Sequence, residues 1–78
     1  MTTPQHNPRE EGLNPQLIRL RNVLERTGLG RSSIYALVKN GEFPQPVHLT
    51  ARAVAWVADE VDQWCEARIA ARDSEATT

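Results

Sequence analysis

Long apolar runs are missing from this sequence. None approaches the roughly 20 residues needed to cross a bilayer, so no membrane-spanning helix is expected. Cysteine is scarce too. The single Cys65 cannot close an intramolecular disulfide, which suits a reducing compartment. His6 and His48 are the only histidines, and with one thiol they do not supply the three or four convergent ligands of a zinc site. Neither metal nor cofactor is expected. No glycine-rich phosphate loop follows a strand and no Ser-His-Asp set can be assembled, so the chain does not read as an enzyme. Residues 1–12 are polar and acidic, without the basic start and apolar stretch of a signal peptide. The protein is expected to stay in the cytoplasm.

What is present is enough for one domain. Seventy-eight residues allow a single core that buries only about 60% of the unfolded surface. The net charge of −1 argues weakly against a nucleic-acid partner, but its distribution is uneven. Residues 1–18 carry one base (Arg9) and two acids (Glu10, Glu11), a net −1. Residues 19–52 carry six bases (Arg19, Arg21, Arg26, Arg31, Lys39, Arg52) against two acids (Glu25, Glu42), a net +4. Residues 53–78 carry two bases (Arg68, Arg72) against six acids (Asp59, Glu60, Asp62, Glu66, Asp73, Glu75), a net −4. A basic middle beside an acidic end can present one positive face despite a nearly neutral total; chance segregation in a short chain is the bland alternative.

Residues 1–15 hold Pro4, Pro8 and Pro15 with little that is apolar, and read as a flexible N-terminal arm. Residues 73–78 read as a frayed tail, which leaves 16–72 as the folded domain. Within it, Leu20, Val23 and Leu24 recur at helical spacing and predict a first helix over 20–26. Gly28 can take a positive φ and end it. A second helix is expected over 31–40, with Ile34, Leu37 and Val38 as its buried stripe. Gly30 or Arg31 must cap it, and Asn40-Gly41 stops it. Pro44 and Pro46 then forbid a helix. Val47-His48-Leu49 and Ala53-Val54-Ala55-Trp56-Val57 read as the two strands of a hairpin. A third helix is expected from Asp59 as N-cap, with Glu60 and Asp62 in the favourable first turn. Its residues Val61, Trp64, Cys65 and Ile69 should face the core. The fold class is therefore mostly α with a small β-hairpin, a winged helix-turn-helix of three short helices and a two-stranded wing.

Two short helices joined by a glycine-containing turn form the helix-turn-helix arrangement. Opposite its buried stripe, the second helix carries Arg31, Ser32, Tyr35, Ala36 and Lys39 on one continuous face. That face holds two cations, a hydroxyl and a phenol, and no acid. It fits the major groove, where Arg reads guanine, Ser either base edge and Ala a thymine methyl; an ordinary solvated helix face is the alternative. Arg52, near the hairpin tip, can place its guanidinium on a phosphate or in the minor groove, or pair with an acid such as Glu42.

The chain from Leu20 to Arg72 resembles the AlpA-type phage and prophage regulators, relatives of the MerR-like and excisionase winged helices. The matching pieces are Thr27-Gly28-Leu29-Gly30-Arg31-Ser32-Ser33-Ile34-Tyr35, Lys39-Asn40-Gly41-Glu42-Phe43-Pro44-Gln45-Pro46-Val47, Arg52-Ala53-Val54-Ala55-Trp56 and Asp59-Glu60-Val61-Asp62-Gln63-Trp64. Each is weak alone; in this order the set is specific. The resemblance implies a second helix that enters the major groove and a wing that touches the adjacent backbone. It places the DNA-binding positions at Arg31, Ser32, Ser33, Tyr35 and Lys39, with the wing arginine at Arg52. It further implies transcriptional regulation, excision of a mobile element, or both. Two departures stand out. The family usually has serine where Gly30 stands, and a basic residue and a glycine where His48 and Thr50 stand.

Other residues carry competing readings. His48 is expected on the wing, facing DNA or solvent, rather than on a metal. Cys65 reads as a buried small hydrophobe rather than a nucleophile. Trp56 and Trp64 could stack on bases, but their positions favour the core. Tyr35 could cover the core edge or reach a phosphate. The acids Asp59, Glu60, Asp62 and Glu66 are explained by a helix start and its solvated face rather than by catalysis. The expected partner is double-stranded DNA, with self-association on adjacent sites, since one small module buries only about 600–1,000 Å². An integrase is a further conceivable partner. The rival class is a protein-interaction module, such as an antirepressor or packaging adaptor, that uses the same fold without reading bases.

Overall fold

Alternating local signals assemble into three helices and three strands. A computed structural model of the protein describes residues 16–76; the arm expected over 1–15, with His6, and the last two residues lie outside the described residues. In chain order the elements are β1 (Leu17–Ile18), α1 (Leu20–Thr27), α2 (Arg31–Lys39), β2 (Val47–Thr50), β3 (Ala53–Val57) and α3 (Ala58–Ala76). This is a winged helix-turn-helix, mostly helical, with β2 and β3 as the antiparallel hairpin.

Helix α1 ends where expected. Gly28 stands at φ 76°, ψ 7°, and its N–H donates to the Leu24 carbonyl at 2.8 Å. Three residues later Gly30, extended at φ −87°, ψ 170°, opens α2 without a side-chain cap. A serine there would accept from the exposed N–H groups of the first turn. A Cβ at Gly30 meets nothing within 4 Å, so Gly30→Ser is expected to stabilise the fold by a few tenths of a kcal/mol. Thermal unfolding of the two chains checks this, and an unchanged or lower midpoint refutes it. Helix α2 closes in a Schellman arrangement. Gly41, at φ 75°, donates to the Val38 carbonyl at 3.0 Å, and Glu42 donates to the Leu37 carbonyl at 2.8 Å.

The core is small and continuous. Ile18, Val23, Ile34, Phe43, Trp56, Ala58 and Val61 are buried and mutually packed. Trp56 is fully enclosed, and its Nε1 donates to the Pro44 carbonyl at 3.0 Å, which ties β3 to the segment between α2 and the wing. Trp64 is half-buried. It meets Phe43 edge-on at 4.9 Å and donates to the Glu42 carbonyl at 2.8 Å. Both indoles thus serve packing, as their sequence positions suggested.

Three expectations are corrected. First, Leu17–Ile18 forms a strand, with Leu17 opposite Val57 and Ile18 opposite Trp56, so the sheet has three strands in the order β1-β3-β2. Two residues are too few to show a period of two. Second, α3 is not short: it begins at Ala58, with Asp59 inside the first turn rather than at the cap, and runs 19 residues to Ala76. Residues 73–76, expected as frayed tail, are helical. No glycine or proline follows Pro46, so nothing in the chain stops the helix. Third, Ile69 is 49% exposed. It repeats the spacing of Val61 and Cys65, but the body that covers them ends before the helix does.

A candidate nucleic-acid interface

Packing decides which side of α2 faces outward. Ile34 is fully buried, and Leu37 and Val38 are half-buried against the core. The opposite positions Arg31, Ser32, Ser33, Tyr35, Ala36 and Lys39 are all exposed. Arg31 and Lys39 make no ion pair with any described residue, and α2 has no acid in its first turn. The face expected from spacing alone is therefore on the surface, with its positive charge uncompensated by described neighbours.

Tyr35 combines both of its readings. Its ring centroid lies 6.4 Å from that of Trp56, tilted by 59°, yet the residue remains 44% exposed. One edge rests on the core and the rest projects with the cations. This contact joins the outward face of α2 to the root of the wing, because Trp56 belongs to β3.

The wing presents Arg52 and His48. Arg52 lies in the turn between β2 and β3 and is exposed. Its backbone N–H donates to Thr50 Oγ1 at 3.1 Å, and its guanidinium makes no pair with Glu42. His48 is exposed on β2, opposite Val54, just before a register irregularity between His48 and Thr50. Neighbouring strands re-aim side chains at such bulges.

The other cations are engaged elsewhere. Arg26 Nη1 binds both carboxylate oxygens of Asp62, at 2.8 and 3.0 Å, so one base of the positive middle is neutralised by α3. Arg68 stacks over the Trp64 ring at 5.6 Å, and Arg72 pairs with Asp73 at 2.7 Å. Arg19 and Arg21, just before and within the first turn of α1, are exposed and unpaired among the described residues. The charge count included them, but no motif singled them out.

The remaining acids do not gather. Among the described residues no three His, Cys, Asp or Glu side chains are placed to hold a metal ion, and no helix is long and apolar enough to cross a membrane. Cys65 is half-buried with its Sγ 3.9 Å from the Arg26 carbonyl. Burial, aided by the negative charges of Asp62 and Glu66 and opposed by Arg26, pushes its thiol up from the usual value. It keeps its proton at neutral pH, the opposite of an activated nucleophile.

Over residues 16–69, the two glycine-bounded helices, the wing and most of α3, the sequence matches the family described as prophage CP4-57 regulatory protein (AlpA). The chain belongs to that family. Its relatives include the uncharacterized protein ORF88 of Enterobacteria phage P4, 44% identical over 57 residues, which are 73% of this chain. The match spans 65% of that phage protein's length. A second relative is the DNA-binding transcriptional activator AlpA of Escherichia coli (strain K12), 29% identical over 59 residues, covering 68% of this chain and 84% of that protein. The AlpA-family match starts at Gln16 and takes in both helices of the turn motif, so all of the exposed α2 face and the wing lie inside it.

Proposed function

We propose that this chain is a sequence-specific double-stranded DNA-binding protein of phage or mobile-element type that regulates transcription. The observation that carries the reading is the exposed face of α2. Arg31, Ser32, Ser33, Tyr35 and Lys39 stand together there without a described carboxylate partner. Family membership and the DNA-binding relative support it. In this reading α2 enters the major groove with its N-terminal residues nearest the base edges. Arg52 and His48 on the wing meet the adjacent backbone or minor groove. Arg19 and Arg21 add phosphate contacts where α1 crosses the backbone.

So small a surface binds weakly alone, so two or more copies occupy adjacent sites about one helical turn apart. The same arrangement suits an excision factor working beside an integrase, which differs from plain regulation in requiring bent DNA. Binding to an operator fragment, selected from a random-sequence duplex pool, is expected to fall steeply as salt rises from 50 to 200 mM, because phosphate contacts release counterions. Circularly permuted fragments add the second reading: position-dependent mobility supports excision, and its absence leaves regulation alone. Failure to select any duplex sequence would overturn DNA readout and favour the protein-interaction alternative.

A further inference from the structure

Strand β3 reads Ala53-Val54-Ala55-Trp56-Val57, apolar throughout, the pattern of a strand covered on both faces. Its inward side is covered: Trp56, with Ile18 opposite, is in the core. Its outward side is covered only in part. Paired residues share a face, so Leu17 lies beside Val57, and Val47 beside Ala55. Leu17 is 44% exposed and Val47 38% exposed. Val47 and Val57 also line an open groove of about 950 Å³ with Phe43, Pro44, Glu60 and Trp64. This apolar row and groove do not overlap the outward face of α2.

The chain itself supplies an occupant. The Gln16 carbonyl accepts from the Ala58 N–H at 2.7 Å, so the segment before Gln16 leaves the fold beside Val57 and the start of α3. Pro15 has no N–H to continue the ladder, and Asn14, preceding a proline, is held to extended conformations. Leu13 is the only large apolar residue of 1–15 besides Met1. Three residues separate it from Gln16, about 10 Å of extended chain. Trp64 lies six helical residues beyond Ala58, about 9 Å along the axis. The distances match. The acid on the groove's rim, Glu60, also suits Arg9, four residues before Leu13.

We infer that residues 13–15 strap the outer face of the sheet, with the Leu13 side chain seated in the groove between Val57 and Trp64. Residues 1–12 stay outside this contact apart from Arg9. The strap closes the second face of β3 within one copy of the chain and does not depend on DNA binding.

The test is nuclear Overhauser spectroscopy on the full chain, at concentrations where sedimentation shows a monomer. The expected result is cross-peaks from the Leu13 methyls to the Trp64 indole and the Val57 methyls. Leu13→Ser should abolish them and lower the unfolding midpoint by about 4 °C, while Leu13→Met largely restores it. Absence of those cross-peaks in the monomer overturns the strap, whatever the variants do. So does contact that appears only as the chain self-associates, since the groove would then belong to a second copy.

Discussion

Replacing Lys39 by alanine should weaken binding to every duplex sequence alike and reduce the slope of log K against log salt by about 1, the signature of one lost phosphate contact. Replacing Arg31 should behave differently. It is the first residue of α2, and the N-terminal end of a recognition helix is the part that meets base edges. Arg31→Ala should therefore cost about 1–3 kcal/mol on the preferred site and relax the choice of base at one position. Lys39 stands eight residues further along, about 12 Å down the axis, where the groove wall rather than its floor is in reach. Both side chains are exposed and unpaired among the described residues, so the double variant should keep its circular dichroism and its unfolding midpoint. If it also kept wild-type affinity and salt dependence, the cation face would have no part in DNA binding.

Trp56→Ala should unfold the domain. The indole is fully enclosed and is among the largest side chains with no exposure. It holds three relationships at once: the strand pairing with Ile18, the hydrogen bond to the Pro44 carbonyl at 3.0 Å, and the Tyr35 contact at 6.4 Å. Truncating a core tryptophan costs about 3–5 kcal/mol, and removing the indole N–H leaves the Pro44 carbonyl without that donor. A chain of this size has little stability in reserve. Urea denaturation followed by circular dichroism is expected to find the variant largely unfolded before denaturant is added. Trp56→Phe, which restores much of the volume without the donor, should fold with a lowered midpoint. A Trp56→Ala chain with a normal transition would show that the core is elsewhere.

The parts of the fold visible in the sequence are those where local and tertiary preferences agree. Gly28 and Asn40-Gly41 mark helix ends because their backbone conformations admit few other residues, and the structure places positive φ at both glycines. Ile34, Leu37 and Val38 mark the inner face of α2 because an eight- or nine-residue helix over a small core has only one side to bury. What stayed hidden depends on distant partners. Leu17–Ile18 is a strand only because β3 is there to receive it. Ile69 looks like a core residue because spacing records direction but not how far the body extends. Charge behaved similarly. The count along the chain found the basic middle, but only the fold reveals that Arg26 is matched by Asp62 across 36 residues. The candidate site was more legible than the sheet, since all five of its α2 residues come from one helix whose outward face follows from its inward one.

Strand β3 ends at Val57 and α3 begins at Ala58, with no connecting loop. The hairpin and the longest helix are consequently one lever with a common root. The helix's 19 residues reach about 28 Å. A hairpin turned by roughly 10° to follow a narrower groove would swing the far end of the helix, if rigidly carried, by about 5 Å. Duplex shape sensed at Arg52 would then be displayed as movement at Ile69 and Asp73, on the acidic side of the molecule.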